Sequence, residues 1–334
     1  MSLTLSVISY CVVQMRNILL ILFLFPTTSF AGLLYSYNKK SPQLKVSNEL
    51  KRDVNFWEDV FSQYEANQCV YHDSKNLDMV YMVSRVPLND KRAMKKQMGK
   101  QKAMIRGALE SLRRGKKPKT WMEKKIARVI PRRLKSSRFY RQAKSRIRCQ
   151  RGVATDFRKS LERSKTYLPM IKKRLSKLNV PMDLAYLPHL ESGFNKKAHS
   201  KVGARGLWQL MPGTARPFIK VNRRRDDRLN PHLATNVAAR ILKDNYRKTK
   251  SWPLAITAYN YGINGVVRAI KKYNSNDYGT IRRRHKTRIF GFAAKNFYPS
   301  FIAVRNLAMK HEKGKVFKRQ NLARGNKESK TSRR

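Results

Sequence analysis

Negative charge is scarce in this chain: 20 Asp and Glu stand against 75 Lys and Arg, a formal net charge of +55 over 334 residues. A field of that size bears on partners and solubility, not on fold. It leaves nucleic acid, an anionic lipid surface and an anionic cell-wall polymer as possible partners. Cysteine is also scarce, with three residues in all, and no Cys and His fall at metal-ligand spacing. No glycine-rich phosphate loop occurs, no heptad run long enough for a coiled coil, and no clear β-strand run. Neither a metal nor a cofactor is therefore expected. Hydrophobic residues make up 41% of the chain, ample for a core, so wholesale disorder is excluded.

The N-terminus narrows the partners. Met15-Arg16-Asn17 precedes the apolar run Ile18–Phe25, which ends at Pro26 and is followed by Ser29-Phe30-Ala31. A charged start, an apolar stretch and a small-x-small pair have the form of a secretory signal over residues 1–31. An uncleaved membrane anchor is the alternative, although eight apolar residues are short for a span. Export to the periplasm or cell envelope, membrane-associated or secreted, favours an envelope polymer or membrane surface over nucleic acid. Only Cys69 and Cys149 then remain, either as one disulfide or as two buried thiols.

From Phe56 to Tyr64 aromatic and apolar residues recur at helical spacing, as a core stripe does. Lys91–Arg148 has Glu110 and Glu123 as its only acidic residues, and its apolar positions predict two or three amphipathic helices with basic outer faces. Phe157–Leu178 predicts another helix, broken or kinked at Pro169. Residues 311–334 are polar and basic, the composition of a disordered tail. The divisions expected are a signal at 1–31, a basic helical N-terminal region at 32–165, a catalytic domain at 166–310 and the tail.

One carboxylate stands apart. Leu184, Leu187 and Leu190 recur every three residues and lead to Glu191, just before Ser192-Gly193; no other Glu lies between Glu162 and Glu312. Pro181 suits the first position of the short helix this spacing predicts. Taken singly, Glu191 is an ordinary surface charge at a helix end. Downstream, however, three glycines surround Trp208, Gln209 and Met211, and Ala258-Tyr259-Asn260-Tyr261-Gly262 follows an apolar helix.

Together, Glu191-Ser192-x-Phe194, Ser200-x-x-Gly203-Ala204-x-Gly206-Leu207-Trp208-Gln209-x-Met211-Pro212-x-Thr214-Ala215 and Ala258-Tyr259-Asn260-x-Gly262 resemble the lytic transglycosylases of bacterial cell walls. The catalytic domain of that family is related to goose-type lysozyme. The resemblance runs from about Asn179 to Ala308 and includes Asp226-x-Arg228-x-x-Pro231 as a helix start. Phe56-Trp57, Tyr71-His72-Asp73 and Asn76-Leu77-Asp78-x-Val80-Tyr81 resemble, more loosely, the N-terminal extension of the membrane-bound murein transglycosylase D type. The glycan-binding repeats that often follow in that type have no counterpart in this sequence.

The resemblance implies a mainly α-helical, lysozyme-like domain that cleaves the β-1,4 bond between N-acetylmuramic acid and N-acetylglucosamine in peptidoglycan glycan strands. It places Glu191 on the catalytic acid/base. Ser200, Gln209, Met211 and Tyr259 fall on cleft or substrate-binding positions, with Trp208 and Asn260 expected beside them. Most glycosidases use two carboxylates. Here one Glu serves the motif region, and the sugar's own 6-hydroxyl can supply the nucleophile, leaving a 1,6-anhydromuramyl end. Many relatives carry a Glu-Thr pair near the domain's end, where this chain has Ala293. Two rivals remain: a hydrolytic muramidase acting on the same bond, and a non-catalytic cationic wall-binding protein.

Overall fold

The computed structural model describes residues 44 and 46–314; the expected signal at 1–31 and nearly all of the basic tail lie outside them. The chain runs α1 (Asn48–Ser62), β1 (Gln68–Asp73), β2 (Val80–Arg85), α2 (Lys91–Arg113), α3 (Trp121–Val129), α4 (Ser137–Ser145), β3 (Ile147–Arg151) and α5 (Ala154–Lys177). It continues through α6 (Pro188–Glu191), α7 (Pro212–Ala215), α8 (Pro231–Thr249), α9 (Trp252–Tyr261), α10 (Ile263–Tyr273), α11 (Tyr278–Arg284) and α12 (Phe292–Glu312). The fold is mainly helical, as the sequence predicts.

Helix starts follow local chemistry. Ser47, Asp90 and Ser136 side chains accept from backbone N–H groups at the starts of α1, α2 and α4. Thr120 and Glu123 close a reciprocal capping box on α3. Asn230 caps α8, with Pro231 at its first position. The basic stretch yields three helices, α2, α3 and α4, with Ile105, Leu109, Met122 and Ile126 turned inward. Pro169 does not break α5, which is continuous over 24 residues. Pro169 and Lys165 are both exposed, so the carbonyl that loses its intrahelical donor lies on the watered side. The division expected between residues 165 and 166 falls inside this helix.

A three-stranded antiparallel sheet in the order β2-β1-β3 is the element that the sequence pattern hid. β1 is buried at five successive positions, Cys69–Asp73, so it lacks the alternation that marks a half-buried strand. The upstream motif residues converge at its end. Phe56 lies 4.5 Å from the His72 ring, and Asp73 accepts from Arg146 Nε at 2.8 Å and from Tyr81 Oη at 3.3 Å.

Two apolar cores result. One is built from the sheet, α2, α3 and α4, around Tyr71, Tyr81, Ile105 and Leu109. The other joins α1 to everything from α5 onward, with Trp57, Phe157, Leu187, Trp208, Leu254 and Phe301 among its members. A disulfide, Cys69–Cys149, joins β1 to β3 and closes a separation of 80 residues. The first core is thus an insertion between α1 and α5, tied at its neck. No helix among the described residues is long and apolar enough to cross a membrane.

Candidate active site

Glu191 ends a segment that is tighter than an ordinary helix. Met182–Tyr186 form a 3-10 turn and α6 adds only four residues. The three-residue recurrence of Leu184, Leu187 and Leu190 is the period of a 3-10 helix, which explains that leucine spacing. Below it, His189 is buried against Phe157, Tyr186 and Phe194 and hydrogen-bonded through Nδ1 to Ser160; burial brings its pKa down to about 3, so it packs as a neutral ring. Asp183, in the same turn, is held by Arg305 Nε at 2.7 Å.

The chain then reverses. Gly193 and Phe194 both have φ of 57°, a left-handed pair that glycine tolerates and a bulky aromatic does not adopt unaided. Full burial of the Phe194 ring, its N–H to the Pro188 carbonyl at 3.2 Å, and Arg163 Nε donating to Gly193 O at 2.7 Å impose it. Ser192 Oγ donates to the Leu207 carbonyl at 2.8 Å and ties this reversal to the next loop.

That loop, His199–Leu210, is held by backbone pairing of Arg205 with both His199 and Leu210. Ser200 is buried, and its Oγ accepts from Ala204 N at 2.9 Å. Gln209 sits at φ 45° with Nε2 donating to Gly206 O at 3.0 Å and Ala198 O at 3.3 Å, which leaves Oε1 as its acceptor. Gly206 has φ 77°, and a Cβ there would lie 2.0 Å from the Arg228 carbonyl oxygen. Arg228 is the strut beneath. Its guanidinium takes Asp226 through Nε at 2.8 Å and Nη2 at 2.7 Å, while Nη1 donates to Gly203 O at 2.7 Å and Leu210 O at 2.9 Å.

Tyr259, near the end of α9, closes the constellation. Its Oη donates to the Trp208 carbonyl at 2.8 Å. Its pKa is raised well above normal, first by burial and then by the nearby Glu191 carboxylate. Glu191 itself is only partly covered at its surface but lies deep in protein mass. Burial raises its pKa from 4.5 to about 8, and no hydrogen bond or cation among the described residues offsets it. At neutral pH most of it is protonated. Asp226 and Asp227 differ, their pKa values lowered chiefly by hydrogen bonds from Arg228 and Arg225.

The expected residues do not all take one position, and Ser200 is buried within the loop. Glu191, Gln209 and Tyr259 are linked through the loop and α9. Met211, at the start of α7, and Asn260, beside Tyr259, are partly exposed on the adjoining segments. Trp208 is a correction. Its side chain is 0% exposed and its Nε1 donates to Thr235 Oγ1 at 2.9 Å, so it cannot wall a cleft or touch substrate; it contributes a carbonyl to Tyr259. The Arg228–Asp226 strut was not foreseen. Its signal was the Asp-x-Arg spacing, which shows neither the carbonyls it reaches 18 and 25 residues away nor its burial. No cluster of three or more potential metal ligands occurs among the described residues.

Comparison with known proteins agrees with the motif resemblance. Residues 169–281 match the transglycosylase SLT domain. The chain is 30% identical over 151 residues to membrane-bound lytic murein transglycosylase D of Escherichia coli K12, covering 43% of this chain and 32% of that protein. It is 36% identical over 110 residues to a putative tributyltin chloride resistance protein of Alteromonas sp. strain M-1, covering 32% of this chain and 53% of that one. The chain thus spans between a third and about half of the length of these relatives. Soluble lytic transglycosylase SLT70 of Escherichia coli matches in structure with a TM-score of 0.40 and 14% identity, over 81% of this chain and 52% of that one.

Proposed function

We propose that this protein is a peptidoglycan lytic transglycosylase of the cell envelope, with Glu191 as both acid and base. The SLT-domain match supports the reaction class, and the name of the E. coli relative supports murein as substrate and the envelope as location. The observation that carries the residue assignment is the Glu191 carboxyl at the end of α6, pushed to about 8 by burial, beside the loop to which Ser192 and Tyr259 are both tied.

A protonated Glu191 donates its proton to the glycosidic oxygen as the bond from muramyl C1 breaks, and the glucosamine 4-hydroxyl leaves. The muramyl acetamido oxygen steadies C1. The resulting Glu191 carboxylate takes the proton of the 6-hydroxyl, and O6 bonds to C1. Glu191 is again protonated, no water is consumed, and the product is a 1,6-anhydromuramyl end. A high pKa suits both halves, making the carboxyl a ready acid and its anion a competent base. The carboxylates that a hydrolytic muramidase would recruit are engaged elsewhere: Asp183 with Arg305, Asp226 with Arg228 and Arg205, and Asp227 with Arg225. Ser200, Gln209, Met211, Tyr259 and Asn260 are assigned to glycan binding, Gln209 through Oε1.

The test is turbidity loss of purified sacculi. Wild-type protein is expected to clear them, and Glu191→Gln is not. Clearance by Glu191→Gln would return the protein to the non-catalytic, cationic reading.

A further inference from the structure

The inserted module between α1 and α5 contains none of the residues assigned to the proposed site, and it has its own core and its own disulfide. Lys91–Arg148 holds 23 Lys and Arg against two Glu. Both carboxylates are used internally. Glu110 is gripped by Arg113, Lys144 and Arg114, and Glu123 turns back to accept from the N–H groups of Lys119 and Thr120. Neither is left to neutralise the outer surface.

That surface has a shape. On α3, Met122 and Ile126 face the core, while Trp121, Lys124, Lys125 and Arg128 fall at i, i+3, i+4 and i+7 and are all exposed. Lys116, Lys117 and Lys119 lead into the same helix end, and all three are exposed. Trp121 is 60% exposed, the highest value among the exposed large apolar side chains, and no ring contact or cation–π pair is recorded for it among the described residues. Trp57 and Trp208, by contrast, are buried in the main core. A bilayer surface uses both features, because indole rings settle at headgroup depth while lysines and arginines hold anionic headgroups.

We infer that the exposed face of α3 with the Lys116–Lys119 loop docks the protein on an anionic phospholipid surface, Trp121 entering the headgroup layer. The cations draw the module to the bilayer, and the indole fixes which face meets it. This goes beyond the glycan chemistry and does not depend on Glu191.

The full chain carrying Glu191→Gln is titrated with phosphatidylcholine vesicles with and without phosphatidylglycerol, so that binding is read apart from cleavage. Binding is expected only with phosphatidylglycerol, with a blue shift of tryptophan emission that Trp121→Phe abolishes. The triple reversal Lys124→Glu, Lys125→Glu, Arg128→Glu should weaken binding roughly tenfold or more. A charge-matched reversal on α10, Arg268→Glu, Lys271→Glu, Lys272→Glu, should weaken it by less than about threefold. Circular dichroism checks that each variant is folded. Equal losses in the two triples, or an emission shift that survives Trp121→Phe, would overturn the docking face. Binding to purified sacculi with none to anionic vesicles would assign the patch to a wall polymer instead.

Discussion

At the scale of single residues the account turns on Glu191. A general acid with a pKa near 8 keeps its proton through neutrality, so kcat/KM should hold through neutral pH and fall as pH rises past about 8. A decline beginning near pH 5 would show an unperturbed carboxyl. Stability carries the same sign. The folded pKa is raised above the unfolded value, so the favourable contribution is complete below about 4.5 and is lost as pH rises towards 8. Glu191→Gln should therefore gain in unfolding free energy relative to wild type across that window, on the order of a few kcal/mol in denaturant titration. Tyr259→Phe removes the tether to the Trp208 carbonyl while keeping the ring, and should lower kcat more than it raises KM. That Glu191, Gln209 and Tyr259 lie on linked segments was legible in the sequence because the motif fixes residue types at fixed offsets around glycines. Trp208 was misread for a local reason. The left-handed Gln209 beside it redirects the chain, and a large aromatic next to a polar amide looks the same in sequence whether it faces solvent or the core.

Elements are held in place by contacts that span the sequence, which composition cannot reveal. The His199–Leu210 loop depends on Arg228, some 20 residues away, and a substitution at either end should show it. Arg228→Ala strands the shielded Asp226 and two carbonyls, at a cost of about 3–5 kcal/mol in thermal or denaturant unfolding. Gly206→Ala forces a methyl into the Arg228 carbonyl at a left-handed position and should cost about 3 kcal/mol. A loss within 1 kcal/mol would mean that the loop is not braced as described. The helices of the basic stretch were legible from their apolar spacing, and their caps from Asp90, Thr120 and Ser136. The sheet was not, because β1 is covered on both faces by α1 and the inserted helices and so shows no period of two. Its disulfide closes 80 residues, and the loop-entropy relation gives about 4 kcal/mol for such a closure, so unfolding under reducing agent should move by that order.

For the molecule as a whole, the densest run of positive charge and the proposed catalytic carboxyl lie in different parts. Positive charge is densest in the insertion, where Lys91–Arg148 holds 23 Lys and Arg against two Glu, while Glu191 lies in a part of the main core where burial, not charge, raises its pKa. Association with any anionic envelope surface should weaken steeply as salt rises, whereas cleavage of a short soluble glycan should not. The composition revealed the charge and its density in Lys91–Arg148, but not that Glu110 and Glu123 are both engaged inside the module. The chemistry of the product ends depends most directly on the proposed role of Glu191. Mass spectrometry of fragments from digested sacculi is predicted to find 1,6-anhydromuramyl termini, absent with Glu191→Gln; reducing muramyl termini, each one water heavier, would contradict a lone carboxylate acting as acid and base.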